Sequence, residues 1–258
     1  MSSSGQSHQH GKAHVSALLA VSTVIFALRK DDATGDLASV WLPLVRRIRE
    51  PYEGCWALPG GPLHLDENLT FAAARTLHDT TGLSPSYLEQ LYAFGDVSRS
   101  DTPGDASTAE DRRVVSIVYW ALVRSDEAAR ASVDENVQWF AADDLPPLAF
   151  DHNLIVEYAL WRLRTKMEYS RIAHAFLGET FTLAQLREVH EAVLGRPLDP
   201  ANFRRTIEGS GAVVATDQYL TGTRHRPPRL YRYNDSIDLA DQGPLPRQQH
   251  PFERRREK

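Results

Sequence analysis

The sequence predicts an α+β protein of two unlike halves, and three observations carry that reading. Hydrophobic residues make up 42% and charged residues 24% of 258 residues, the profile of a folded chain long enough for two domains. Strand-like and helix-like segments are mixed up to about residue 150, and beyond it three helices precede a pair of strands. Charge divides in the same way: residues 1–149 carry 12 Lys+Arg against 20 Asp+Glu, whereas residues 150–258 carry 17 against 14. The stretch 196–232 holds seven arginines and three acids, a basic segment on a protein of net charge −5. Such asymmetry suits one end to a polyanion.

The N-terminus, MSSSGQSHQHGKAH, has no apolar segment after a basic one and does not read as a secretory signal. Residues 1–13 read as a disordered tail, with the histidines part of that tail rather than a metal site. Val15–Leu28 is rich in Val, Ile, Leu and Phe, as a central strand is, and too short to span a bilayer. Leu42–Arg47 is a second strand, and Trp56-Ala-Leu-Pro-Gly-Gly-Pro reads as a break. Leu69, Ala73 and Leu77 fall at i, i+4 and i+8, which predicts a helix over Leu69–Thr80 ended by Gly82. Leu91–Gly95, Val114–Val123 and Val137–Phe140 read as strands, and Arg99–Arg113 as a long polar loop holding an Asp101–Asp111 insert. Cys55 is the single cysteine, so no internal disulfide forms and a cytoplasmic location follows as the default.

In the second half, Asn153–Lys166 reads as a connecting amphipathic helix. Thr182 caps a helix to Leu194, with Gly195 just past its end. Asp199 caps a third helix with Pro200 at its first position, running to about Glu208 before Gly209-Ser-Gly. Ala212–Tyr219 and Arg229–Tyr233 form a hairpin, with Tyr231 and Tyr233 as its core aromatics. Three helices and a hairpin outline a winged helix-turn-helix. Its second paired helix would enter the major groove. There Phe203 and Ile207 face the core, leaving Asn202, Arg204 and Arg205 outward, side chains suited to base edges and phosphates. Arg224, His225 and Arg226 sit at the hairpin tip, where a wing meets the DNA backbone or minor groove. Residues 236–258 read as a disordered basic tail.

From Gly61 the chain reads GPLHLDENLTFAAARTLHDTTGL, which resembles the Nudix box G-x5-E-x7-R-E-U-x-E-E-x-G-U without a gap. Gly61, Glu67, Arg75, Leu77, Gly82 and Leu83 take their positions in the pattern. The three acids that share a helix face in the pattern are here Thr76, Asp79 and Thr80. One short carboxylate and two hydroxyls make a poor cage for Mg²⁺, so hydrolysis is expected to be absent or residual, with no catalytic residue assigned. Glu67 and Asp79 remain weak metal candidates, and Arg75 and Asp79, at i and i+4, are expected to pair. The pocket above the helix is then reused for binding. Arg47, Arg49 and Arg113 suit a diphosphate, as do the neighbouring Arg46, Arg99 and Arg112. Trp56, Gly60 and Gly61 form the approach to the box, and Phe94 or Tyr52 offers a ring for a base.

Together with LAFDHNLIVEYALWRLR, FTLAQLREVHEAVLGRPLDPANFRR and PPRLYRY, these features resemble the Nudix-related transcriptional regulators of NAD metabolism, the NrtR family. The resemblance covers about residues 14–233. It implies a Nudix-type mixed α/β/α sandwich over 14–150 that binds an effector, and a winged-helix domain with its connecting helix over 151–235. It further implies a homodimer on a palindromic operator near NAD biosynthesis or salvage genes, controlled by ADP-ribose or a related NAD-derived nucleotide, with no cofactor required and no membrane partner. The alternative is an ADP-ribose pyrophosphatase with an accessory C-terminal domain. A nucleotide-binding adaptor that contacts proteins is a third reading.

Overall fold

The computed structural model describes residues 17–29, 38–85, 87–96, 99, 113–131, 135–169, 172–222 and 227–234. The first half is a sheet built on β1 (Ala17–Arg29) and β6 (Arg113–Val123), which pair in parallel along their length. β2 (Ser39–Arg46) and β5 (Tyr87–Phe94) flank them antiparallel, giving the order β3-β2-β1-β6-β5. β7 (Val137–Ala141) adds to β2. The Trp56–Pro62 segment is not a simple break. Trp56–Ala57 forms β3 on β2, and Gly60–Pro62 forms β4 on β1. β5 starts at Tyr87, earlier than its apolar run suggests, and is irregular between Gln90 and Tyr92.

Alternation along β1 decides which helix covers which face. Val24, Phe26 and Leu28 join Trp120 and Leu122 in one core, whereas Ile25 and Ala27 pack with Leu77 and Leu83 in another. The second core lies under α1 (Leu69–Thr81), whose N-cap Asn68 accepts from Phe71 N–H and whose Gly82 turns left-handed at φ 70°. Gly60 lies so close to β1 that an added Cβ would stand 2.8 Å from Ser22 Oγ, so this position admits glycine alone without a shift. A short helix, α2 (Ser125–Ala128), which the sequence pattern did not signal, follows β6.

The first core continues into the second half. α3 (His152–Tyr169) extends the expected connecting helix at both ends, and Ile155, Ala159 and Leu163 are fully buried against the sheet. A 3₁₀ turn (Ile172–Phe176), α4 (Leu183–Leu194), α5 (Pro200–Ser210) and the hairpin β8 (Val213–Tyr219)–β9 (Arg229–Tyr233) follow. Phe176, Phe181, Leu186, Val193, Val213 and Tyr231 belong to the same apolar cluster as Phe26 and Trp120. The two halves therefore share one hydrophobic core. Phe181 exchanges backbone hydrogen bonds with Tyr231, laying a third extended segment beside the hairpin. α5 runs through Ser210 to a left-handed cap at Gly211, so Gly209 is inside the helix and not past it.

Polar contacts fix α3 from both sides. Arg164 donates to both oxygens of Asp143 in the first half and, through Nε, to the Val193 carbonyl at the end of α4 (3.1 Å). Lys166 is buried and lies 2.8 Å from Glu89 on β5, over the face of Trp120. A groove of about 600 Å³ follows α3 past Asp143, Trp161 and Leu194. No helix of the described residues is long and apolar enough to cross a membrane.

Candidate functional site

The box helix keeps its scaffold and has lost its ligand set. Arg75 does not pair with Asp79. It reaches back to Glu67 instead, with Nη2 and Nε 2.6 and 2.8 Å from the two carboxylate oxygens. Glu67 also accepts from His64 N–H at 2.9 Å. The hydrogen bond from Arg75 pulls the Glu67 carboxyl down to about 2, against burial that works the other way. Both Glu67 oxygens thus accept hydrogen bonds from within the protein. Thr76 is buried and donates to the Ala72 carbonyl, and Thr80 donates to the Thr76 carbonyl, each at 2.7 Å. Back-bonding of this kind is the ordinary role of threonine in a helix. Asp79 is exposed and stands alone as the carboxylate of the three face positions. A Mg²⁺ ion wants several oxygen ligands in octahedral array, and these residues do not fit it. Among the described residues there is no group of three or more His, Cys, Asp or Glu able to hold a metal.

The residues expected to meet an effector divide into two sets. Trp56 packs edge-on against Phe140 at the core margin, Gly60 is pressed on Ser22, and Gly61 is open above. Arg113 is exposed and donates to the Gly95 carbonyl at 2.6 Å, and Phe94 packs on Tyr92 and Tyr158. Arg49 enters through its carbonyl, which accepts from Arg47. The other set converges on a segment that sequence reasoning missed, Phe150-Asp151-His152. Arg47 lies 4.7 Å above the Phe150 ring and donates to the Pro51 carbonyl at 2.7 Å. Tyr52 meets the same ring edge-on at 4.8 Å. Arg99 pairs with Asp151 at 2.8 Å and donates to the Phe94 carbonyl. Tyr52 and Phe150 both adopt positive φ, 65° and 58°, a conformation costly for aromatic residues and found where a fold holds a side chain for use. His152 is buried, and its Nδ1 accepts from Leu58 N–H at 3.0 Å. Burial, aided by Arg99 and Arg47, lowers its pKa to about 3, so it is neutral. The signal available in the sequence was an aromatic and a histidine shortly after Pro146-Pro147, at the entry to a helix.

The second site is α5. Its N-terminus is set by Asp199, which accepts from Asn202 N–H, and by Pro200 at the first position. Glu191 fixes the turn between α4 and α5. It is buried and accepts from Arg187 and from Leu198 N–H at 2.7 and 2.8 Å. Phe203 and Ile207 pack on the core, and Phe203 contacts the half-buried His190 ring on α4. Asn202, Arg204 and Arg205 are exposed. Arg205 donates to Asn202 Oδ1 at 2.6 Å. Arg204 pairs with Glu208, which in turn accepts from the Tyr231 hydroxyl on β9. Tyr231 is therefore a core ring with a polar handle, and Tyr233 packs on Phe181 and His174. Arg112, the Asp101–Asp111 insert, Arg224, His225, Arg226 and both terminal tails lie outside the described residues.

Buried neutral histidines predict acid sensitivity. His190 is lowered to about 4 by burial, and His152 to about 3, from 6.5. Between those values and 6.5 the unfolded chain binds protons that the fold refuses. Stability is therefore full above pH 6.5 and falls as pH drops toward 4, by up to about 1.4 kcal/mol per pH unit for each histidine. Thermal melts at pH 7 and pH 5 check this, a range above the window in which Glu67 titrates.

Residues 19–159 match the profile of the NUDIX domain, and residues 173–233 that of the NrtR DNA-binding winged helix domain. The chain is 32% identical over 224 residues to the ADPR responsive transcriptional repressor NtrR of Acinetobacter baylyi, spanning 84% of this chain and 82% of that protein. It is also 32% identical over 120 residues to the ADP-ribose pyrophosphatase of Methanocaldococcus jannaschii, 46% of this chain and 66% of the enzyme. The structure of Shewanella oneidensis NrtR in complex with a 27mer DNA aligns at a TM-score of 0.65 and 34% identity, covering 84% of this chain and 93% of that one. With both domains matched in order and the likeness running through most of each relative, the chain belongs to the NrtR family, a Nudix domain joined to an NrtR-type winged helix.

Proposed function

We propose that the protein is a DNA-binding transcriptional repressor whose hold on its operator is controlled by ADP-ribose or a related NAD-derived nucleotide. The observation that carries this is the likeness to a repressor across both domains, combined with an exposed recognition helix bearing Asn202, Arg204 and Arg205. The nucleotide-binding half reads as an effector domain, and NAD biosynthesis or salvage genes as the targets. A homodimer on a palindromic operator, in the cytoplasm, completes the proposal, since a two-fold protein presents its helices to half-sites about one DNA turn apart. Binding to promoter duplexes from NAD-synthesis genes, measured with and without ADP-ribose at fixed near-physiological salt, tests it. Sequence-specific binding that ADP-ribose alters supports the proposal. Binding no tighter than to random DNA overturns it.

The likeness to a pyrophosphatase favours one rival, hydrolysis of ADP-ribose. Glu67 held by Arg75 and threonines bonded to their own helix speak against it. The expected result with ADP-ribose and Mg²⁺ or Mn²⁺ is turnover far below the ~1 s⁻¹ at the low end of ordinary enzymes. Turnover on that scale, lost in Glu67→Gln, would establish the enzyme.

A further inference from the structure

We infer that the solvent face of α3 is where a second copy of this chain docks, with the two α3 helices side by side and parallel. This rests on the reading of the protein as a homodimer. One side of α3 is spent on the shared core through Ile155, Ala159 and Leu163. The opposite side of an ordinary surface helix is polar. Here it carries an apolar stripe. Leu154, Tyr158, Trp161 and Thr165 follow one another at intervals of four, three and four residues, the alternation of the d and a positions of a coiled coil. Leu154 is 57% exposed and Trp161 53%. Tyr158 packs on Trp161 and on Tyr92 of β5, itself 54% exposed, which widens the stripe sideways. A contiguous apolar surface of this kind marks an interaction site.

Charge and shape both identify the occupant as a second copy. Glu157 flanks the stripe on one side and Arg162 on the other, at the g and e positions of the same heptad frame. Glu157 is exposed and Arg162 half-buried, and neither forms an ion pair with another described residue. In parallel helices the g residue of one strand meets an e residue of the other. Glu157 thereby reaches Arg162 of the partner subunit, and the reverse pair forms by symmetry. The two flanks also differ in relief. The groove past Asp143 and Leu194 runs along the Glu157 side, whereas Tyr92 and Phe94 of β5 rise beside Tyr158 on the other. A two-fold axis parallel to α3 sets the ridge of each protomer opposite the groove of its partner. An antiparallel pair would set groove against groove and Glu157 on the same side as its own copy. The parallel contact is isologous and closes at two copies, the assembly that a palindrome requires.

Sedimentation equilibrium of the full chain at fixed near-physiological salt tests this. The parent is expected to be a dimer. Trp161→Glu and Glu157→Arg are each expected to raise its dissociation constant at least about tenfold, the first by charging a central aromatic and the second by setting arginine against arginine. Adding Arg162→Glu to Glu157→Arg is expected to restore the parent value to within about threefold, since the reversed pair attracts again. A role for either side chain within its own protomer would give no such rescue. Orientation is read by cross-linking in a Cys55→Ser background. Leu154→Cys is expected to form a disulfide with its own copy under mild oxidation, because d positions of parallel helices face each other. A dimeric parent whose affinity none of these substitutions changes would overturn the face and leave the homodimer standing. Cross-linking only in a mixture of Leu154→Cys with Thr165→Cys would overturn the parallel pairing. A parent that stays monomeric would overturn the face and the homodimer together.

Discussion

Replacing Arg204 and Arg205 together with alanine is expected to lower operator affinity by about 10²–10⁴-fold while the fold persists, since each good base or charged contact is worth about 1–3 kcal/mol. Both side chains are exposed, and neither holds the core. Their present partners do not compete strongly with DNA. Arg204 and Glu208 form an exposed i, i+4 pair, worth about 0.3–0.5 kcal/mol. The singles separate the roles. Arg205 and Asn202 form one unit at the N-terminal half of α5, the part that reaches base edges in helix-turn-helix proteins. Arg205→Ala should therefore flatten the preference among duplexes. Arg204 lies toward the hairpin through Glu208 and Tyr231, and Arg204→Ala should weaken all duplexes alike and reduce the salt dependence. Fluorescence anisotropy on cognate and base-substituted duplexes measures both. An unchanged operator affinity in the folded double variant would remove α5 as the reader.

Trp120→Ala is expected to cost about 3–5 kcal/mol, the range for an aromatic deleted from a close-packed core. The ring is fully buried, with Tyr87 in a T-shaped contact at 5.6 Å and Lys166 above it. Because Trp120 shares a core with Phe181, Val193 and Tyr231, the damage should not stop at the first half. The expected melt is one transition, shifted down and sensed equally by probes in either half. Two separated transitions in this variant would show that the shared core does not make the halves cooperative.

The parts of the fold that were legible in the sequence were those decided locally. Thr182 with Gln185, Asp199 with Pro200, and the glycines at 82 and 195 each set a helix end through neighbours within a few residues. The spacing of the box likewise placed α1 within a residue of its true end. The readings that failed depended on distant partners. Gly60 and Trp56 became strand because β1 and β2 lay open beside them, which no local pattern records. Arg75 chose Glu67 over Asp79 because the loop before the helix folds back to it. The Phe150–His152 cluster gathers residues 47 and 52 from one connection and 99 from another, so no single window of sequence contains it.

The grip of Arg164 carries a consequence for ionic strength. Its pair with Asp143 is open to water, with side chains 37% and 64% exposed. Such a pair is worth at most about 1 kcal/mol and is screened by salt. The Val193 carbonyl bond is neutral on one side and survives screening better. Raising salt therefore weakens the Arg164–Asp143 link of α3 to the first half before the Arg164 link to α4. DNA affinity falls over the same range because counterions compete for phosphates. Two salt responses are thus superposed in one titration, one belonging to the DNA and one to the protein, and Asp143→Asn removes the share of the second that this pair contributes.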